Sequence, residues 1–144
     1  MGRINMGRVI LGGLLAGLII NISESILNGV VFADEMNAAM AAINKPPIAP
    51  NMIVGFVAMG FVLGIMTIWL YAAIRPRFGP GAKTAVCAAL TVWFFAYLYP
   101  NVFVMITNIF PRGLIAIGTI WGLVEIVVAG VAGAWLYVEP STAG

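Results

Sequence analysis

The chain has 144 residues, of which 62% are hydrophobic and only 8% are charged, and its mean hydropathy is +1.08. A soluble domain carries about 25% charged residues, so this composition excludes an ordinary soluble protein and indicates an integral membrane protein. The net charge of +2 comes from residues scattered over separate loops, which excludes a dense basic patch for nucleic acid. With no histidine and a single cysteine, Cys87, we expect no metal site, no cofactor and no intrachain disulfide.

Residues 1–144 are predicted to form one domain with four membrane-spanning helices. A bilayer requires about 20 apolar residues per helix. Such segments cover Val9 to Phe32, Met52 to Ile74, Thr84 to Ile106 and Leu114 to Val138. The predicted fold class is therefore an all-α integral membrane protein, a four-helix antiparallel bundle.

The distribution of basic residues predicts the orientation of the bundle. One side carries Arg3, Arg8, Arg75, Arg77 and Lys83, whereas the other carries only Lys45 and Arg112. The positive-inside rule then places both termini in the cytoplasm.

The first predicted helix has small and polar residues along one stripe. At 100° per residue these are Gly13, Gly17, Asn21, Glu24 and Asn28. A charge at bilayer depth costs free energy unless the protein shelters it, so the stripe is predicted to face another helix or water. The glycines allow close backbone approach, and the polar residues need partners.

The connection from Ala33 to Pro50 is predicted to contain a short interfacial helix. Asp34 is placed to cap this helix, and Pro46 and Pro47 to end it. Its apolar face would consist of Met36, Met40 and Ile43. A lid over the outer mouth, a docking element and a spacer on the lipid headgroups all fit this pattern, and the spacer is favoured.

The second predicted helix holds Gly60 and Gly64 in a G-x-x-x-G pattern, which permits a close helix crossing within or between protomers. At the inner helix ends, Trp69 and Tyr71 and their counterparts Trp135 and Tyr137 are interpreted as interfacial anchors. The loop Arg75 to Lys83 is short and rich in proline and glycine, so it predicts a tight hairpin.

The third predicted helix contains Pro100 and Asn101 near its outer end. Proline removes the hydrogen bond to the Ala96 carbonyl, which predicts a kink. Asn101 either joins Glu24 and Asn28 around an outward-facing cavity or simply satisfies the kinked backbone, and the two interpretations are equally weighted. The aromatic run Trp93, Phe94, Phe95, Tyr97 and Tyr99 is interpreted as packing or lipid-facing rather than as a pocket for a flat lipid.

The fourth predicted helix repeats the stripe of the first. Its members are Gly118, Gly122, Glu125, Ala129 and Gly133. Glu24 and Glu125 are predicted at depths that differ by about one helical turn, so direct contact or a one-water bridge is possible. A meeting of the two carboxylates would require a shared proton or a bound cation. Otherwise each glutamate bonds to a local neighbour and sets the register of its helix.

Three segments carry a resemblance. They are L-Y-A-A-I-R-P-R-F-G-P-G-A-K-T-A from Leu70 to Ala85, W-G-L-V-E-I from Trp121 to Ile126, and N-I-S-E-S-I-L-N from Asn21 to Asn28. In these segments the chain resembles a group of uncharacterised small four-helix proteins of bacterial inner membranes. The resemblance implies a multi-pass protein of the bacterial inner membrane and carries no activity with it.

The leading functional hypothesis is an oligomeric channel or a cation- or proton-coupled carrier. Its site candidates are Glu24, Glu125, Asn21, Asn28 and Asn101. The alternative is a non-catalytic accessory subunit of a larger membrane complex, and a lipid, quinone or carotenoid binding protein ranks third. No positioned nucleophile accompanies the acids, so no enzyme is expected. The expected partners are membrane lipids and either copies of this chain or a larger membrane complex, and not nucleic acid.

Overall fold

The structure is a computed structural model that describes residues 4–139. Arg3, which enters the predicted orientation, and both chain termini lie outside the described residues. Within residues 4–139 there are five helices and no strand, which confirms the predicted all-α class. The helices are α1 (Met6–Val31), α2 (Ala33–Ala42), α3 (Pro50–Phe78), α4 (Ala82–Thr107) and α5 (Arg112–Trp135). All except α2 are long and apolar enough to cross a membrane, as in a multi-pass membrane protein.

The long helices lie within a few residues of the predicted spans. The largest difference is at the end of α3, which continues through Pro76 to Phe78 instead of stopping at Ile74. Pro76 lies inside this helix and has no N–H to donate to the Ala72 carbonyl, yet the helix continues for two more residues. Gly79 and Gly81 then reverse the chain with φ angles of +85° and +119°, which favour glycine. The predicted hairpin is therefore reduced to residues 79–81.

The connection between α1 and α3 does form a helix, as predicted. However, α2 begins at Ala33, directly after a corner at Phe32, and no side chain caps it. The predicted cap at Asp34 is wrong, because Asp34 lies inside the first turn. The helix ends at Ala42, four residues before Pro46, so proline is not its immediate stop.

Close packing of α1 against α3 depends on glycine. A Cβ atom added to Gly64 would collide with the backbone of Gly13 and Gly17, so the antiparallel helices touch main chain to main chain. Gly12 and Gly133 make the same kind of contact between α1 and α5. The G-x-x-x-G pattern is thus used within one chain, where its absent side chains let the backbones approach.

The helices form a ring in the order α1, α3, α4, α5, so that α1 and α4 lie diagonally across the bundle. We call one end the hairpin end, where Asn5 at the start of α1, the turn at residues 79–81 and Tyr137 after α5 come together. The opposite end, which carries α2 and the loop at residues 108–111, is the α2 end. Most of the buried core lies toward the hairpin end.

Two of the predicted interfacial anchors are wrong. Tyr71 and Tyr137 are only 3% and 5% exposed, and their rings meet edge to face with centroids 5.8 Å apart. The Tyr71 hydroxyl accepts the Gly81 N–H at 3.2 Å, and the Tyr137 hydroxyl accepts the Asn5 N–H at 3.4 Å. These rings hold the hairpin end together, whereas the neighbouring Trp69 and Trp135 remain exposed.

Candidate functional site

The structure places the side chains of Glu24 of α1 and Glu125 of α5 beside each other. Glu125 is only 4% exposed, while Glu24 is half-buried. Oε1 of Glu125 accepts a hydrogen bond from the Tyr97 hydroxyl at 2.8 Å. Oε2 is buried and has no hydrogen-bond partner among residues 4–139. Two ionised carboxylates repel each other and both accept hydrogen bonds, so a proton on one of them or a cation between them would stabilise this arrangement.

Neighbouring side chains hold the two carboxyl groups in place. The Asn28 amide donates to Oε2 of Glu24 at 2.6 Å. Ser23 lies beside Glu125, and its hydroxyl accepts the Trp121 indole N–H at 2.8 Å. Side-chain hydrogen bonds to the pair therefore come from Asn28 of α1 and Tyr97 of α4.

Each of the two flanking helices has one π-helical turn at this level. In α1 the turn covers Leu27–Val31 and contains Asn28, and in α4 it covers Phe94–Leu98 and contains Tyr97. Widened turns of this kind are frequently found at functional sites, because they reorient side chains relative to a regular helix. Asn28 and Tyr97, which donate hydrogen bonds to the two glutamates, are thus both positioned by π-helical turns.

Pro100 explains the irregularity in α4. Proline cannot donate to the Ala96 carbonyl, and its ring crowds that oxygen. The chain responds with the wider turn just before the proline, where the Tyr99 N–H bonds to the Phe94 carbonyl five residues back. The predicted distortion is present, and it takes the form of a π turn that includes Tyr97.

A cavity of about 250 Å³ lies next to Glu24 at the α2 end. Its polar lining consists of Glu24, Asn28, Tyr97 and Asn101. The remainder is formed by Leu27, Phe32, Met36, Phe110, Leu114, Ile115 and Gly118. The residues come from α1, α2, α4 and α5 and from the corner and loop beside them. One predicted role for α2, covering the mouth of a site, is therefore consistent with its position over the cavity.

The bundle is closed on the other side of the glutamate pair. Ile20 lies one turn before Glu24, and Ile126 and Ala129 follow Glu125; all three are essentially inaccessible. Ile68 of α3 is also fully buried in the same core. The cavity therefore lies on the α2 side of the pair, and a packed core lies on the hairpin side.

Of the three asparagines predicted for the site, the structure places two at the site and one elsewhere. Asn28 bonds to Glu24, and Asn101 lines the cavity while donating to the Thr119 hydroxyl at 2.8 Å. Asn21 is not part of the site. Its amide donates to the carbonyls of Gly17 and Val57 at 2.9 and 3.1 Å, so it bridges α1 and α3 instead.

The two predicted stripes meet only in part. The glutamates meet, but Gly13 and Gly17 contact α3 rather than α5. On α5, a Cβ atom at Gly122 would meet the Tyr97 ring, and one at Gly118 would meet nothing within 4 Å. Gly118 is therefore a cavity residue and not a packing residue.

Sequence reasoning missed Tyr97, Ser23 and Trp121 as members of the site. Tyr97 was placed in an aromatic run interpreted as packing, although its spacing of three residues before Pro100 marks it as lying in the distorted turn. Ser23 and Trp121 each neighbour a stripe that was identified from its glycines and acids. No sequence signal showed that the indole and the hydroxyl would pair across α1 and α5.

No family model, curated protein or solved structure matches the chain. Within residues 4–139, no group of three or more His, Cys, Asp or Glu side chains gathers in one place, so the acids form a pair and not a larger cluster. The fold and the geometry of the pair are thus the basis for a functional assignment.

Proposed function

We propose that the protein is a small proton- or cation-coupled membrane carrier, and that the Glu24–Glu125 pair is its exchange site. The observation that carries this proposal is the buried Oε2 of Glu125, which has no hydrogen-bond partner among the described residues although Glu125 lies beside a second acid, Glu24. A proton satisfies that contact in one state, and a cation replaces the proton in the other.

The position of the pair supports exchange. Ionisable groups at membrane depth often belong to ion or proton pathways, because their burial is costly without a function. Glu24 lines the cavity at the α2 end, so a cation can meet one acid while the other stays covered. The contact between the acids then couples cation entry to proton release.

A carrier fits the geometry better than an open channel. The cavity stops at the pair, and Ile20, Ile68 and Ile126 close the bundle beyond it. Passage across the membrane therefore requires a second conformation in which this core opens. The proposal places the protein in a bacterial inner membrane as a multi-pass protein, in line with its resemblance to small four-helix proteins of such membranes.

The test is an ion-exchange measurement with the full chain in proteoliposomes that contain a pH-sensitive dye. Gradients of sodium, potassium and tetramethylammonium are applied in turn. We expect at least one gradient to change the lumenal pH, and we expect Glu24→Gln and Glu125→Gln each to abolish that change. Glu139→Gln is the matched control, because Glu139 lies at the hairpin end. The proposal is wrong if no gradient changes the pH, or if the change survives both substitutions.

A second candidate function is a non-catalytic accessory subunit, which the exposed face of α4 favours. Phe95, Tyr99 and Phe103 follow one another at steps of four residues and are 67%, 68% and 66% exposed. Such a row is suited to contact with another membrane protein. Purification from native membranes in mild detergent tests this function, and recovery as a lone, monodisperse species would refute it.

A further inference from the structure

The cavity beside Glu24 has an unusual combination of lining groups for a cation site. Six of its eleven residues are hydrocarbon or thioether side chains, and among residues 4–139 no lysine or arginine lines it. Small inorganic cations prefer shells of oxygen ligands. A mostly apolar lining with acids at one end fits a cation that carries its own hydrocarbon.

Three aromatic side chains line the same space. Phe32 lies at the corner between α1 and α2, Tyr97 in the π turn of α4, and Phe110 in the loop before α5. Aromatic rings attract cations through their faces, and groups of such rings recognise alkylated ammonium ions. The three rings thus come from three separate elements and not from one helix.

The cavity also carries an acidic group. Glu24 is one of its lining residues, and Glu125, whose buried Oε2 has no hydrogen-bond partner among residues 4–139, lies beside Glu24. We propose that the cavity binds a small alkylated ammonium ion, with its charge at Glu24 and its alkyl groups among Phe32, Tyr97 and Phe110. This inference rests on the proposed exchange function and names the substrate class of the same site.

The exchange is balanced in charge. An entering ammonium ion brings one positive charge to the acid pair, and the proton shared by the pair leaves to the medium. No covalent bond to carbon forms or breaks. The cavity volume of about 250 Å³ equals that of roughly eight water molecules in the liquid. A cavity of this size suits tetraethylammonium and excludes much larger cations such as tetraphenylphosphonium.

The test measures binding and proton release together. The purified full chain, in detergent and weak buffer, is titrated calorimetrically with tetraethylammonium while the pH is recorded. We expect saturable binding with release of about one proton per ion. Glu24→Gln is expected to weaken binding at least tenfold, because it removes the charge that the ion meets. Glu139→Gln, the same change at the hairpin end, is expected to bind like the parent chain.

A matched pair of phenylalanine substitutions tests the contribution of the aromatic rings to binding. Phe110→Leu is expected to weaken tetraethylammonium binding about fivefold, the size of a partly desolvated cation–π contact. Phe56→Leu makes the same change on an exposed face of α3 and is expected to have no effect. Equal binding by both variants would overturn the aromatic assignment.

A variant that blocks the space tests the site without altering its acids. Gly118 lines the cavity and has open space at its Cβ position, so Gly118→Leu fills the cavity and should abolish binding. Gly113 is equally open but does not line the cavity, and Gly113→Leu should bind normally. Normal binding by Gly118→Leu would place the ligand elsewhere and overturn the inference.

The outcomes separate this inference from the proposed function. If sodium or potassium releases the proton and tetraethylammonium does not bind, the carrier proposal stands and the ammonium inference is wrong. If tetraethylammonium binds with the expected variant pattern but no gradient moves protons in proteoliposomes, the ligand site stands and the carrier proposal is wrong.

Discussion

The two ends of the bundle are built from different packing. Toward the hairpin end, glycine and alanine faces bring the helices together, and residues such as Ala16, Ile68 and Ala88 are completely buried. Toward the α2 end, no residue in the ranges 50–59 and 94–118 is buried, although the structure describes all of them. The helices hold together at one end and leave room at the other. The glutamate pair lies at the boundary, where a closed core meets a cavity.

The polar groups at the two ends differ in the same way. At the hairpin end, Arg75 pairs with Glu139 at 3.0 Å and lies over the Tyr137 ring at 5.5 Å, so opposite or complementary groups meet, even though Nε of Arg75 has no hydrogen-bond partner among residues 4–139. At the boundary, two acids of like charge meet, and one buried oxygen has no donor among residues 4–139. Complementary groups stabilise a fold without further ligands, whereas a like-charged contact requires something from outside. This difference is why we assign function to the second cluster.

The comparison predicts that packing toward the hairpin end contributes most of the free energy of unfolding. Gly64→Ala is expected to lower the free energy of unfolding by about 1–3 kcal/mol, because its methyl group meets the backbone of α1. Gly55→Ala, which has open space around it, is the matched control and should not lower the free energy of unfolding, because alanine is favoured over glycine inside a helix by about 0.5–1 kcal/mol. Denaturant titration in detergent, followed by circular dichroism, measures both. Equal effects of the two substitutions would refute the claim that glycine packing toward the hairpin end stabilises the fold.

A smaller effect is expected at the boundary. Tyr97→Phe removes the donor to Oε1 of Glu125 and should lower the free energy of unfolding by about 1 kcal/mol. It should also slow cation-driven proton movement, since Glu125 is then held by fewer groups. Tyr99→Phe is the control, because Tyr99 is exposed two residues away. A Tyr97→Phe protein with the exchange rate and stability of Tyr99→Phe would contradict the role assigned to the hydroxyl.

The smallest effect is expected from the exposed ion pair. Glu139→Gln breaks the contact with Arg75, but the Glu139 side chain is 43% exposed. Exposed pairs contribute about 0–1 kcal/mol, so a change below about 0.5 kcal/mol is expected in the same denaturant titration. A loss as large as that of Gly64→Ala would show that the ion pair, and not glycine packing, holds the hairpin end.

Hydropathy predicted the long helices to within a few residues, because apolar length is a direct requirement of a bilayer. The 100° spacing also placed Glu24 and Asn28 on one face of the first helix and Glu125 on the matching face of the fourth. The same spacing misplaced Asn21, because the stripe of the first helix faces two neighbouring helices. Its glycine part and Asn21 contact α3, whereas Glu24 faces α5. Angular position alone does not tell which neighbour a residue meets.

The parts of the site that were missed depend on tertiary structure. The π turns have no sequence pattern of their own, although Pro100 pointed to the one in α4. Tyr71 and Tyr137 were mistaken for interfacial anchors because they lie near the ends of predicted membrane-spanning helices, where such anchors are common. In the folded chain their hydroxyls meet Gly81 and Asn5, which belong to distant segments. Long-range partners of this kind are visible only once the helices are packed.

The central claim is that the Glu24–Glu125 contact holds an exchangeable proton, and infrared spectroscopy tests it most directly. At neutral pH and without added organic cation, we predict a carboxylic-acid C=O stretching band that disappears in Glu24→Gln and in Glu125→Gln and persists in Glu139→Gln. Addition of tetraethylammonium should remove the band from the parent chain. Absence of that band in the parent chain, or its persistence in both site variants, would contradict the account.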